Sequence, residues 1–349
     1  MPGRGQKRAR KSSIDEKENV SRKKQKITHS SHPDLTEHGL VLTCGEGDVG
    51  QLGLGEEIFE RSRPAKVDVA GEDIVSVVAG GMHTVCLTNK GEIYTFGCND
   101  EGALGRDTSK EGSETEPAKV DFHGRGIQVS AGDSHSAVLT EEGKVYAWGN
   151  FRDSNGKIGL TMNGIEAKPI EIPLEARIVK ISSGADHLVC LSEDGDLFTC
   201  GCAEQGQLGR VAECFSNRGG RKGLGFSDIN NRFSPERVAS LSDDKDIQQL
   251  EGGQHHTVAL TTEGKVCTFG RGDYGRLGFG DDCKELKEPR ELDLPKCKAI
   301  AAGQSVSFAL TEDGYVFAFG MGTSKQLGSG DEEDLTTPEK MGGKQLAER

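Results

Sequence analysis

The chain repeats itself with a period near 50 residues, and no other feature limits its possible folds so strongly. An aromatic or cysteine residue followed by glycine falls at Cys44-Gly45, Phe96-Gly97, Trp148-Gly149, Cys200-Gly201, Phe269-Gly270 and Phe319-Gly320, so successive glycines stand 52, 52, 52, 69 and 50 residues apart. Ahead of five of these pairs runs a second marker, in the copies AGGMHTVCL, AGDSHSAVL, SGADHLVCL, GGQHHTVAL and AGQSVSFAL. The first copy, GLVLTCGEGDVGQLG, has only the later half. Spacing of this kind marks an array of one supersecondary unit whose apolar faces are buried by its neighbours.

Within a unit, an apolar run such as HTVCL meets a polar turn ending at Gly91, Gly143, Gly195, Gly264 or Gly314, and an alternating run such as EIYTFG follows. Two β runs joined by a short glycine-containing loop form a hairpin. Weaker runs between copies, EDIVSVVA, ARIVKISS and CKAIAA, add strands. Three to four strands per repeat predict the blades of an all-β propeller, spanning residues 37–349. Glycine at 49 of 349 residues, roughly twice average usage, and aromatics at 5% fit a turn-dense β protein.

The repeat also disposes of two motifs in GRGDYGRLGFG, 270–280: a G-x-G-x-x-G fingerprint and an Arg-Gly-Asp triplet. Gly45, Gly47 and Gly50 fit the same fingerprint in the same slot of the first copy. Neither is followed by a helical pattern whose N-terminus would take a phosphate. Both read as blade turns in which glycine supplies positive φ.

No run approaches the roughly 18 apolar residues of a membrane span and no apolar signal region follows the start, which points to a soluble protein not exported by the usual route. The ten cysteines are scattered, and Cys200 and Cys202 are separated by a single residue, so reduced and mostly buried thiols are expected. Charge is divided: residues 1–33 hold ten Lys/Arg against three acids, +7, while the whole chain is −13, leaving −20 on the remainder. In that arm Lys7, Arg8, Arg10 and Lys11 form one cluster and Arg22, Lys23, Lys24 and Lys26 a second, ten residues on. This is bipartite nuclear-import spacing and equally a phosphate-binding tail. No aromatic is interleaved, so contacts to the DNA backbone rather than base stacking are expected. Residues 1–36 are too poor in apolar groups to fold alone.

GDVGQLGLGE, AGGMHTVCL, FGCNDEGALGRDTS, VSAGDSHSA, AEQGQLGR and DYGRLG together resemble the regulator of chromosome condensation family, seven-bladed propellers, over residues 39–349. The resemblance implies a chromatin-bound nucleotide exchange factor for the small GTPase Ran, in the nucleus, with histones and an import receptor as further partners. It implies no metal, cofactor or membrane.

Function is expected where one copy departs from the rest. From the F-G glycine to the end of LG the interval is 8 in five copies and 10 in the third, Gly149 to Gly159. The insertion predicts a projecting hairpin carrying Phe151, Arg152, Asp153, Ser154, Asn155 and Lys157; in the family this is a wedge pushed into the GTPase beside its nucleotide. The 69-residue interval holds Arg218, Arg221 and Lys222 among glycines, an excursion suited to an acidic histone face or a phosphate. By resemblance, Asp48, His83, Asp133, Asp186, Arg210 and His255 match positions on the GTPase-binding face. His83, His135, His187 and His256 recur in register, which suggests structural hydrogen bonds rather than a metal site. No acid/base constellation breaks the repeat, so a non-exchanging adaptor or chromatin reader is the alternative to exchange, and an enzyme the weakest reading. Six F-G turns and five G-x-x-H elements, against seven blades in the family, lead us to expect one blade fewer, in the 210–252 interval, and no closing strands at the C-terminus.

Overall fold

A computed structural model describes residues 36–210, 233, 235–242 and 246–342, and in it the repeats become five four-stranded antiparallel sheets preceded by a two-stranded one. The first unit pairs Val41–Glu46 with Glu60–Val67. In the second, Ile74–Ala79, His83–Thr88, Ile93–Gly97 and Ala118–Lys119 lie side by side in chain order. The third blade (strands Gly126–Ala131, His135–Thr140, Val145–Gly149 and Glu166–Glu171), the fourth (from Ile178–Ser183 to Glu236–Arg237), the fifth (Ile247–Gly252 to Glu285–Glu291) and the sixth (Cys297–Ala302 to Leu335–Lys340) repeat this meander. Six units are thus represented, as the repeat count predicts. The long interval after Arg210 falls inside blade four, between its third strand Leu197–Gly201 and its outermost strand Glu236–Arg237.

The apolar core lies between blades. Along His83–Thr88, Cys86 turns back to Val41, Val67 and Ile74, while Val85 and Leu87 turn forward to Val129, Val138 and Trp148 of the next blade. Successive strand residues point to opposite faces, so one HTVCL run serves two interfaces. The same division packs blade three on four through Ala137, Leu139, Ile178, Ile181 and Leu188, and blade five on six through Val258, Leu260, Cys297 and Ile300. Outermost strands face water, and each carries or directly follows a proline: Pro64, Pro117, Pro169, Pro235, Pro289 and Pro338. A residue without a backbone N–H suits an edge strand and discourages pairing with another chain.

Near the axis the G-x-x-H loops bond one another through the backbone. Gly81 N donates to Gly132 O (3.0 Å), Asp133 N to Ala185 O (2.8 Å), Ala185 N to Gln254 O (2.9 Å) and Gln254 N to Gln304 O (3.2 Å). They surround a cavity of about 420 Å³ lined by all five four-stranded blades. The recurring histidines add a relay across each joint. His83 Nε2 donates to Ser136 Oγ (2.9 Å), which donates to Ala103 O (2.8 Å); His256, Ser307 and Arg276 O repeat the pattern at 2.9 and 2.9 Å. His187 bonds Thr257 likewise (3.1 Å). A Cβ on Gly80 or Gly253 would collide with the imidazole three residues on, which is why glycine opens the motif. His135 corrects the expectation of four hydrogen-bonded histidines. Leu188 occupies the Ser/Thr position opposite it, and neither ring nitrogen has a partner.

Burial holds these imidazoles neutral: the pKa of His83 is lowered to about 4 and those of His135, His187 and His256 to about 3. Unfolded histidine titrates near 6.5, so the unfolded chain binds protons that the native chain refuses, and stability falls as pH drops from about 6.5 towards 4. The single tryptophan, Trp148, is fully buried and reports unfolding. Its fluorescence should show a urea midpoint markedly lower at pH 5 than at pH 7; equal midpoints would contradict neutral burial of the histidines.

Candidate functional site

Each G-x-x-H loop is hydrogen-bonded to the loop that leaves the F-G strand of its own blade, so both emerge at one end of the propeller. Cys98 N donates to Met82 O (2.9 Å), Asn150 N to Ser134 O (2.9 Å), Cys202 N to Asp186 O (2.8 Å) and Arg271 N to His255 O (2.9 Å). Asp133, Asp186, His255 and the third-copy insertion therefore share one face, with Asp48 in the corresponding loop of the first unit.

The insertion folds as a hairpin of Phe151–Asp153 against Gly156–Gly159. Arg152, Ser154, Asn155 and Lys157 are exposed and Asp153 is half-buried. Phe151 does not project. It is 1% exposed and packs edge-on against His135 at 4.7 Å, within the core that joins blades three and four. An aromatic ring beside the relay-free histidine gains more from burial than from water, so Phe151 anchors the hairpin whose tip the neighbouring residues form.

Carboxylates from both adjacent blades grip the hairpin. Glu101 of blade two accepts from Asn150 Nδ2 (2.8 Å) and Arg152 NH1 (2.8 Å), and Lys157 Nζ lies 3.5 Å away. Asn150 Oδ1 accepts from Gly159 N (2.8 Å), closing the hairpin base. On the other side Asp186 Oδ1 accepts from Arg152 N (2.8 Å), and both oxygens of Glu204 accept from Ser154, at N and Oγ, each 2.8 Å. Burial raises the Glu101 carboxyl, but hydrogen bonds from Asn150 and Ser134 and the charges of Arg152 and Lys157 together bring it below the ordinary carboxylate range. Burial pushes Asp186 up to about 7, with the Arg152 N–H opposing and the charge of Asp133 adding. Asp133 is exposed overall, yet enough of its carboxyl is withdrawn from water to raise it too, against the charge of Arg152. A cleft of about 80 Å³ opens between this cluster and Met82, Cys98 and Asp100.

The other expected positions separate. Asp48 is exposed and accepts from Gln51 Nε2 (3.1 Å) as a turn residue. His83 is buried in its relay. His255 is half-buried beside Arg271 and Arg276, and burial followed by those charges lowers it to about 4. Arg210 folds back on its own blade, with NH2 donating to Thr199 O (2.8 Å) and NH1 pairing with Glu236 at 3.2 Å. Arg106 does the same to Thr95 in blade two, so this position holds a turn. Lys7, Arg8, Arg10, Lys11, Arg22, Lys23, Lys24, Lys26, Arg218, Arg221 and Lys222 lie outside the described residues. Among the described residues no group of His, Cys, Asp and Glu could hold a metal ion. Cys86, Cys200 and Cys202 are free thiols pushed by burial to about 12, which makes them unreactive. Glu101, Asn150 and Glu204 were missed in the sequence. The first two had a signal, since register places Glu101 with Val49, Gln205, Tyr274 and Ser324, and Asn150 with Glu46, Cys98, Cys202, Arg271 and Met321.

Asp186 sets a second pH effect, opposite in sign. Its native proton affinity exceeds that of an unfolded Asp, so its contribution to stability is full below about 4 and is lost as pH rises through about 7. Asp186 and the likewise raised Asp133, set against the lowered histidines, moderate the acid loss without reversing it. Asp186→Asn keeps the acceptor for Arg152 N and removes the titration. The variant should exceed the parent by only about 1 kcal/mol at pH 4.5 and by up to about 4 kcal/mol at pH 8 in urea unfolding; equal stabilities at pH 8 would exclude a raised Asp186.

A family model described as the RCC1-like domain matches residues 40–223, and the Regulator of chromosome condensation (RCC1) repeat matches 194–260, 263–310 and 313–346. The Regulator of chromosome condensation of Xenopus laevis is 47% identical over 377 residues, covering 93% of this chain and 88% of the relative. That share of 349 residues is about 325, so about 52 positions of the relative, one repeat period, have no counterpart here. Guanine nucleotide exchange factor SRM1 of Saccharomyces cerevisiae is 29% identical over 329 residues, covering 78% of this chain and 64% of the relative. Among solved structures, yeast Prp20p, described with its binding to Gsp1p and histones, aligns at TM-score 0.52 and 28% identity over 88% of this chain and 87% of that one. Yeast RCC1 (Prp20) bound to Kap60 aligns at TM-score 0.52 and 27% identity, covering 96% and 92%. With its repeats, its blades and these relatives in agreement, the chain belongs to the regulator of chromosome condensation family.

Proposed function

We propose that this protein is a chromatin-bound guanine-nucleotide exchange factor for the small GTPase Ran, acting in the nucleus. The observation that carries the proposal is the two-residue insertion, a hairpin held rigidly on the face that also bears Asp133, Asp186 and His255. Relatives support it: one is named as a nucleotide exchange factor and another is described with binding to Gsp1p and histones.

Exchange of this kind makes no covalent bond. The factor binds the nucleotide-free GTPase best, and by reciprocity bound nucleotide is then held less tightly. The exposed tip, Arg152 to Lys157, enters beside the nucleotide and disturbs the phosphate-cradling loop, while Asp133 and His255 contact the surrounding surface. Asp48 extends the contact to the first unit. The basic arm, residues 1–36, supplies import receptor recognition and salt-sensitive contacts to the DNA backbone, and Arg218, Arg221 and Lys222 contact an acidic histone face.

Mixing the protein with Ran loaded with fluorescent nucleotide tests the central claim. Release no faster than without the protein would overturn it in favour of a non-exchanging adaptor. Replacing residues 152–157 by a four-residue turn, the length the other copies use, while keeping Phe151, should lower release at least about a hundredfold with little change in Tm. Retention of full activity would remove the hairpin from the mechanism.

Deleting residues 1–33 separates address from exchange. DNA binding should weaken and its dependence on salt should flatten, because ten cations are lost. The truncated protein should leave the nucleus, and Ran exchange in solution should persist. Nuclear retention of the truncated protein would contradict the import role.

A further inference from the structure

The hairpin's bonds run mostly to carboxylates of other blades, which raises the question of what those carboxylates are for. Glu101 stands in the loop that follows the F-G strand of blade two, yet that loop does not depend on it. Asn99 holds the loop instead: Leu104 N donates to Asn99 Oδ1 (2.9 Å), and Asn99 Nδ2 donates to Arg106 O (3.1 Å) and Thr108 Oγ1 (2.9 Å). The Glu101 carboxylate is 7% exposed as a residue and reaches across the joint to Asn150, Arg152 and Lys157. It binds the residue that leads into the hairpin and both of the hairpin's cations. Asn150 passes the constraint on, since its Oδ1 accepts from Gly159 N at the far end of the same hairpin.

Two features separate this from an ordinary surface ion pair, which holds little. The carboxylate is largely buried, with Arg152 and Lys157 on one oxygen and the Asn150 amide on the other, so breaking the contact leaves an anion poorly solvated. The blade that carries the hairpin is also unusual on its other side, at the joint with blade four. At blades two, four and five a His relay to Ser or Thr ties neighbours together beneath the face, whereas blade three has Leu188 opposite His135 and the Phe151 ring packed on it. The relay is thus missing at the joint of blades three and four, where Phe151 anchors the hairpin from below, while the Glu101 network holds the same hairpin from the joint of blades two and three, which keeps its His83–Ser136 relay.

The geometry points to Glu101 and Asn150 as positioning residues for exchange, fixing the angle and stiffness of the Arg152–Lys157 tip without touching the GTPase. The inference rests on the exchange reading. A tip presented in one conformation loses little freedom on insertion, whereas a loose tip must be ordered each time. The effect belongs on the rate at saturation rather than on the affinity of the encounter, because the exposed face is unchanged.

Glu101→Ala, Glu101→Gln and Asn150→Ala in the full chain test this with two readouts. Amide hydrogen exchange over residues 152–157 reads the clamp directly and needs no GTPase. Nucleotide release from Ran, measured over a range of exchange-factor concentrations, separates kcat from KM. Glu101→Ala should speed exchange of those amides and lower kcat by about ten- to a hundredfold with KM nearly unchanged. Glu101→Gln keeps an acceptor for Asn150 and should fall between Ala and the parent. The double variant Glu101→Ala/Asn150→Ala should be scarcely worse than either single change, as expected for one network. Faster amide exchange with unaltered kcat would overturn the positioning role, as would a lower kcat with unaltered amide exchange. If the shortened-tip protein keeps full activity, the exchange reading of the hairpin fails instead, and the hydrogen-exchange result still decides whether the clamp exists.

Discussion

Everything in this structure depends on a blade burying both of its faces against other blades. A four-stranded sheet of about 50 residues has no interior of its own. His83–Thr88 illustrates the constraint, with Cys86 packed backward and Val85 and Leu87 packed forward from one six-residue strand. The backbone bonds from Gly81 through Gln304 and the His-to-Ser/Thr relays then set the angle between successive sheets. Because these ties lie near the axis and the packing lies between sheets, the loops at the end of each blade are free to differ. Function in such an array sits where tolerance is greatest, on scaffolds that need not change.

Blade three shows how an exception is accommodated. Its loop is two residues longer, its histidine lacks the relay partner, and the surplus aromatic residue, Phe151, fills the place beside that ring. A hairpin added to a surface normally gains mobility. Here apolar burial at its base and four carboxylates or amides around its stem (Glu101, Asn150, Asp186 and Glu204) hold it in a single orientation. Asp186, expected from the resemblance to face a partner, is turned inward to Arg152 N, so what it holds is the hairpin.

The sequence by itself determined the architecture, because a propeller is encoded locally: the spacing of glycines, the alternation within each strand and the count of repeats all follow from text within one period. The hairpin was legible for the same reason, as a length difference between copies. What only the tertiary structure decided is which side chains that hairpin touches. Phe151 reads as a tip residue and lies in the core, Arg210 reads as a face residue and is folded back on Thr199, and Glu101 stands 51 residues before the Arg152 that it holds. Contacts across a joint between blades are set by the angle at which two sheets pack, and that angle comes from several ties acting together, so no single repeat contains it.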